Sequence, residues 1–210
     1  MTDHRVHPGA ALLAAVAVMD RLRSPGGCPW DAEQTHASLG RYLVEECYEL
    51  LQAIEDDDPE AMREELGDVL LQVLFHARVS SEQPAGFDID DVADTLVDKL
   101  IRRHPHVFAD PQQLTAADQQ QRWDELKKTE AGRSSVTSGV ALGQPAVALA
   151  AKLGARSVKF GVEVAPPAGD SVGEQLFRLA YEAGRRGEDP ESQLRAVARA
   201  HAKALIDAEN

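Results

Sequence analysis

The chain has 210 residues, 43% hydrophobic and 27% charged, enough for one substantial domain or two small ones with a buried core. Acidic residues outnumber basic ones by 35 to 22, a formal charge of −13, which argues against a general nucleic-acid binder with its basic footprint. Two cysteines, Cys28 and Cys47, exclude a disulfide framework and a four-cysteine zinc site, and a reducing cytoplasm is the expected compartment.

The longest apolar run, Ala10 to Met19, is too short to cross a bilayer, so no membrane partner is expected. Leu12, Val16, Met19 and Leu22 within and after it recur at helical spacing and predict an amphipathic helix. The loop from Ser24 to Asp31 is dense in turn residues. A long helix is predicted from about Leu39 to Ile54, with Leu43, Cys47, Leu50 and Ile54 on its apolar stripe. Asp58 reads as the N-cap of the next helix, with Pro59 at its first position and Met62, Leu66, Val69, Val73 and Ala77 along one face.

Asp88 caps a helix bearing Ile89, Val92, Leu96 and Leu100, which must end near His104-Pro105. Thr115 and Asp118 open a helix holding Trp123 and Leu126. Residues 132–143 read as a linker between a first domain, 1–131, and a shorter helical segment, 144–210, with helices near 144–157, 171–186 and 190–208. No strand pattern stands out. The expected class is all-α, with short connections favouring an antiparallel helical bundle.

The main chemical signal is a set of paired carboxylates. Glu46 and Glu49 point together on one predicted helix, as do Glu65 and Asp68 on the next, because residues three apart share a helical face. The short link through Pro59 makes the two helices antiparallel neighbours, so the pairs can face each other. Four converging carboxylates repel unless protonated or neutralised, and magnesium or manganese suits an oxygen-only set. The other reading of the same residues is a solvated acidic face.

Lys99, Arg102 and Arg103 form one cationic helical face, and Trp123 with Lys127 a second pair one turn apart. These could meet a metal-bound polyphosphate, or simply complement a helix C-terminus and fill a core. Trp30, in its Cys-Pro-Trp-Asp loop, could stack on a base or plug the end of the bundle.

Together these residues resemble the MazG-type nucleoside triphosphate pyrophosphohydrolases. The family's Glu-Glu-x-x-Glu motif is matched by Glu45-Glu46-Cys47-Tyr48-Glu49, and its Glu-x-x-Asp by Glu65-Leu66-Gly67-Asp68. Gly27 to Asp31, Asp98-Lys99-Leu100 and Arg102 to Phe108 are also similar to family landmarks, so the likeness runs from about residue 12 to 130. It implies an all-helical homodimer that uses Mg2+, or Mn2+ in its place, to cleave the α–β phosphoanhydride of a nucleoside triphosphate. It further implies Glu46, Glu49, Glu65 and Asp68 as metal ligands and Glu45 as the residue that holds or activates water. Lys99, Arg102, Arg103, Trp123 and Lys127 would touch the nucleotide, and Trp30 is counted with them. The alternative is a non-catalytic helical dimer that binds nucleotides or a protein.

Full-length members often carry two such domains, and Lys152 to Val162 resembles the entry to the second. Asp189-Pro190 echoes Asp58-Pro59, and Tyr181-Glu182 echoes Tyr48-Glu49. With those echoes superposed, the places of Glu45, Glu46, Glu65 and Asp68 fall to Arg178, Leu179, Ala196 and Arg199. The second segment is therefore expected to be a non-catalytic remnant that packs against the first domain or a dimer mate.

Overall fold

The computed structural model describes residues 9–109, 115 and 135–209, and its regular elements are all α-helices. The chain divides into two compact units, Met1–Gln112 and Gln113–Asn210. The helix expected around Trp123 lies outside the described residues.

In the first unit α1 spans Ala10–Arg23, α2 Pro29–Glu33, α3 His36–Glu55, α4 Pro59–Ser80, α5 Ile89–Arg103 and α6 Pro105–Phe108. Of these, α2 falls where turn residues predicted loop, and α6 follows the break predicted near His104-Pro105. Each starts on a proline at its first position, where the missing N–H costs nothing and the fixed φ is already helical.

Side-chain caps set the longer helices. Thr35 and Ser38 form a reciprocal capping box for α3, and Asp88 with Asp91 does the same for α5. Asp58 accepts from the backbone N–H groups of Glu60 and Ala61 at 3.0 and 3.1 Å, which starts α4 where predicted. The reversal between α3 and α4 needs only Asp56, Asp57 and Asp58, with Asp57 in the left-handed region at φ 53°, a conformation that aspartate tolerates better than most residues. A link this short folds α4 back along α3 as an antiparallel pair.

The core of this unit gathers Met19, Leu39, Leu74, Phe75 and Val79, with Ala15, Val16, Tyr42 and Ile89 packed against it. It sits toward the start of α3 and the end of α4. Further along the pair the expected apolar stripes are not buried. Cys47, expected in the core, is exposed, and Ile54, Leu66, Val73, Leu96 and Leu100 are 39–52% exposed. Among the described residues the stripes fall on the helices where the periodicity put them, but part of each stripe is left uncovered.

In the second unit α7 spans Ala146–Phe160, α8 Val172–Arg185 and α9 Pro190–Glu209. Helices α7 and α8 cross closely. A Cβ on Gly154 would lie 2.0 Å from the Tyr181 carbonyl oxygen, and one on Gly184 2.0 Å from that of Ala151, so both positions require glycine. The sequence echo has a structural counterpart, since Asp189 accepts from Glu191 and Ser192 N–H groups as Asp58 does from Glu60 and Ala61.

Candidate active site

The seam between α3 and α4 carries acids at positions that would otherwise hold apolar side chains. Glu46, Glu49 and Glu65 each offer a carboxylate oxygen, and the three oxygens lie within 4.8 Å of one another. Glu46 and Glu65 are half-buried and Glu49 is exposed. Burial pushes the Glu46 carboxyl above the usual carboxylate value, helped by a hydrogen bond shared with Glu49 and by the charges of Asp68, Glu49 and Glu65. The Glu65 carboxyl is raised too, through desolvation first and then the charges of Glu49, Asp68 and Glu64.

Asp68 is thus a close electrostatic neighbour of both Glu46 and Glu65, although the trio that comes together does not include it. Glu45 is exposed beside this group on α3. Such crowding favours any state that adds positive charge. The donor set is all oxygen, which suits a hard divalent cation. Oxygens around one magnesium lie at most about 4.2 Å apart, so a trio within 4.8 Å closes on an ion by small side-chain rotations. The residues present therefore fit such a metal.

Lys99, Arg102 and Arg103 occupy the last turns of α5, a helix that packs on α4; Lys99 and Arg103 are half-buried and Arg102 is exposed. Trp30 packs edge-on against Tyr42 and Phe75, with centroids 5.9 and 6.4 Å away, while half of it stays exposed. It closes the bundle end and still offers a ring surface to solvent. Trp123 and Lys127 lie outside the described residues.

Three features escaped the sequence reading. Arg23 is buried, bonded to Glu82 at 2.8–2.9 Å, to the carbonyls of Asp31 and Gln34, and set over the Phe75 ring. It follows Val16 and Met19 at helical spacing, and a charge on that apolar stripe was the available signal. Gln72, 4% exposed, follows Glu65 and Asp68 in the same way. His36 and His76 pair through their Nδ1 atoms at 2.7 Å, and nothing local could join residues 40 apart in sequence.

In the second unit Arg178, which the sequence echo lays on Glu45, donates to the carbonyls of Pro167 and Gly169 and ties down the loop before α8.

Comparison with known proteins gives the family. The MazG nucleotide pyrophosphohydrolase domain matches residues 34–108, which include every member of the carboxylate cluster. The chain is 53% identical to the "Uncharacterized 26.1 kDa protein in blaB 3′ region" of Streptomyces cacaoi, over 96% of this chain and 84% of that protein. It is 50% identical to a nucleoside triphosphate pyrophosphohydrolase of Mycobacterium tuberculosis, over 73% of this chain and 47% of that one. With the nucleoside triphosphate pyrophosphohydrolase/pyrophosphatase MazG of Thermotoga maritima the identity is 44%, over 78% and 64%. The chain thus spans about half to two thirds of these two named enzymes. From the matched domain, the identity across nearly the whole chain and the convergence of acids on the α3–α4 seam, the chain belongs to the MazG nucleotide pyrophosphohydrolase family.

Proposed function

We propose that this protein is a Mg2+-dependent nucleoside triphosphate pyrophosphohydrolase. In this reading it cleaves the α–β phosphoanhydride of ribo- and deoxyribonucleoside triphosphates to the monophosphate and pyrophosphate, clearing unwanted nucleotides in the cytoplasm. The observation that carries the reading is the close approach of Glu46, Glu49 and Glu65, three mutually repelling acids held together across two helices. A chain of charge −13 can accept a triphosphate only through bound cations and local basic groups.

Glu46, Glu49 and Glu65, with Asp68 beside them, would hold magnesium or manganese. When bound, the metal neutralises phosphate charge and lowers the pKa of a coordinated water. Glu45 holds the attacking water and takes its proton. Lys99, Arg102 and Arg103 contact the polyphosphate, Trp123 and Lys127 join them, and Trp30 adds an aromatic contact to the nucleoside. No side chain need act as nucleophile, because phosphoryl transfer of this kind is governed by positioning and charge.

The functional unit in this proposal is a homodimer. Val44, Tyr48 and Leu51 on α3 and Met62, Leu66, Leu70 and Val73 on α4 are all 36–54% exposed, far more apolar surface than scattered singles leave on a monomer. Leu66→Glu on a free surface would change little, whereas in an interface it buries a charge. Sedimentation of the full chain is expected to give a dimer for the native sequence and a shift to monomer for Leu66→Glu. A dimer that survives the substitution would remove that face from the interface.

The test of the reaction is product analysis with magnesium and a panel of canonical and damaged nucleoside triphosphates. Monophosphate with pyrophosphate, abolished by chelation, is the expected result. Diphosphate with phosphate would put cleavage at a different bond. Nucleotide binding without turnover would favour a regulatory binder over an enzyme.

A further inference from the structure

His36 opens α3 and His76 stands late in α4, so their contact ties the helical hairpin together at the end opposite its reversal. The two Nδ1 atoms lie 2.7 Å apart, and the rings are parallel to within 4° with centroids 5.1 Å apart. His36 is exposed, whereas His76 is half-buried and its Nε2 is buried without a partner. Leu39, one turn after His36, and Phe75, next to His76, belong to the core of the unit, so the pair borders that core.

A hydrogen bond between two Nδ1 atoms needs one that carries a hydrogen and one that does not. The neutral pair meets this condition, and so does the pair with one added proton. With two added protons both Nδ1 atoms carry hydrogens, no acceptor is left, and two positive rings face each other in contact. His36 is also the first residue of α3, where the positive end of the helix dipole adds to the cost of a doubly charged pair.

The surroundings supply no compensating charge. The cavity beside His76 is lined otherwise by Leu43, Gln72, Val73, Ala77, Phe87 and Val92, all uncharged. On α5, Asp88 and Asp91 accept from N–H groups at the start of their own helix. On α4, Arg78 is taken up by Asp20 and Glu82. Burial, and after it the charge of His36, holds the His76 pKa below its ordinary value.

We infer that His36 and His76 form a proton-sensitive clasp, which fastens the start of α3 to α4 while the pair holds at most one added proton and releases it when both rings are charged. The clasp does not depend on the proposed reaction. In the unfolded chain both rings take up protons near pH 6.5, so there the unfolded state binds at least one proton more than the clasped one. The stability the clasp contributes is therefore complete above about pH 6.5 and falls as the pH drops below it. A difference of one bound proton changes the folding constant up to about tenfold per pH unit.

The test uses the full chain and the double variant His36→Phe/His76→Phe, which keeps two flat rings but removes both titrating groups. Urea midpoints are measured at pH 7.5, 6.5 and 5.5. The folding constant of the native protein is expected to fall, relative to the variant, by about 5- to 10-fold between pH 6.5 and 5.5. Glu46, Glu65 and Glu82 are present in both proteins, so their own titrations cancel in the comparison. The same pH dependence in both would overturn the inference. A second measurement needs no variant and covers the case in which the double substitution fails to fold. Imidazole nitrogen NMR of the native protein counts the protons on the pair, while hydrogen exchange follows the Leu39 amide, which donates to the Thr35 carbonyl at 3.0 Å. Protection of Leu39 is expected to be lost as the second proton is taken up. Two charged rings with Leu39 still protected would overturn the clasp.

Discussion

Glu65→Gln is expected to abolish magnesium-dependent pyrophosphate release while making the metal-free protein more stable. Loss of activity should exceed about 100-fold, because even removing an outer partner of a metal ligand commonly costs 10- to 100-fold. The gain in stability follows from the direction of the pKa shifts. A carboxyl whose folded pKa is raised destabilises the fold when ionised, and the strain is relieved as pH falls through the folded value. Replacing Glu65 by a neutral isostere removes one of the charges that Glu46 must face. Added magnesium should raise the melting temperature of the native protein at neutral pH, less so as the pH drops and protons compete for the oxygens, and not at all in the variant. Differential scanning calorimetry with and without magnesium reads all three effects. Full activity in Glu65→Gln, or a variant less stable than the native protein without metal, would contradict the assigned cluster.

Arg23→Met is expected to give the largest loss of stability. Its guanidinium is 3% exposed and joins three separate pieces of chain: Glu82 beyond the end of α4, the carbonyls of Asp31 and Gln34, and the face of Phe75 at 5.5 Å. Breaking a buried pair by removing one partner costs about 3–5 kcal/mol. Glu82 is 35% exposed and keeps Arg78 at 2.9 Å, which lowers the expected cost here to roughly 2–4 kcal/mol. For a domain of this size that corresponds to a melting temperature lower by about 10 °C or more. Helix α2, which holds Trp30, loses its anchor at the same time.

The Arg23–Glu82 link also predicts an acid dependence. The hydrogen bond from Arg23, with the charges of Arg23 and Arg78, outweighs desolvation and holds the Glu82 carboxyl below its ordinary value. A depressed carboxylate contributes stability that is complete above its unfolded pKa and is lost as pH falls through the folded one. Urea midpoints followed from neutral pH down into the carboxylate range should therefore fall in the native protein. In Glu82→Gln the fall should be shallower, from a lower starting stability.

Much of the fold could be read in the chain because the signals that set helix ends are local. Asp58 before Pro59 and Asp88 before Ile89 each place a side-chain acceptor where the first free N–H groups of a helix stand, and both helices start where predicted. Glu46, Glu49 and Glu65 could be read too, since a three-residue spacing and a tight reversal fix which side chains meet. Cys47 went the other way. An apolar stripe shows which face of a helix avoids water without showing what covers it, so Cys47, Leu66 and Val73 are exposed on positions that pattern alone assigns to a core.

The sequence by itself determined the all-helical architecture, the reversal that brings the carboxylates together and the family. Each of these depends on residues close along the chain or on motifs in fixed order. Tertiary structure alone decided that Arg23 is buried against Glu82, that His36 reaches His76, and that Gln72 Oε1 is left without a partner beside an apolar pocket. Those contacts join residues 59 and 40 positions apart, or depend on what three helices leave unfilled between them. Periodicity gives the direction of a side chain from its own helix axis, and only packing fixes what stands opposite.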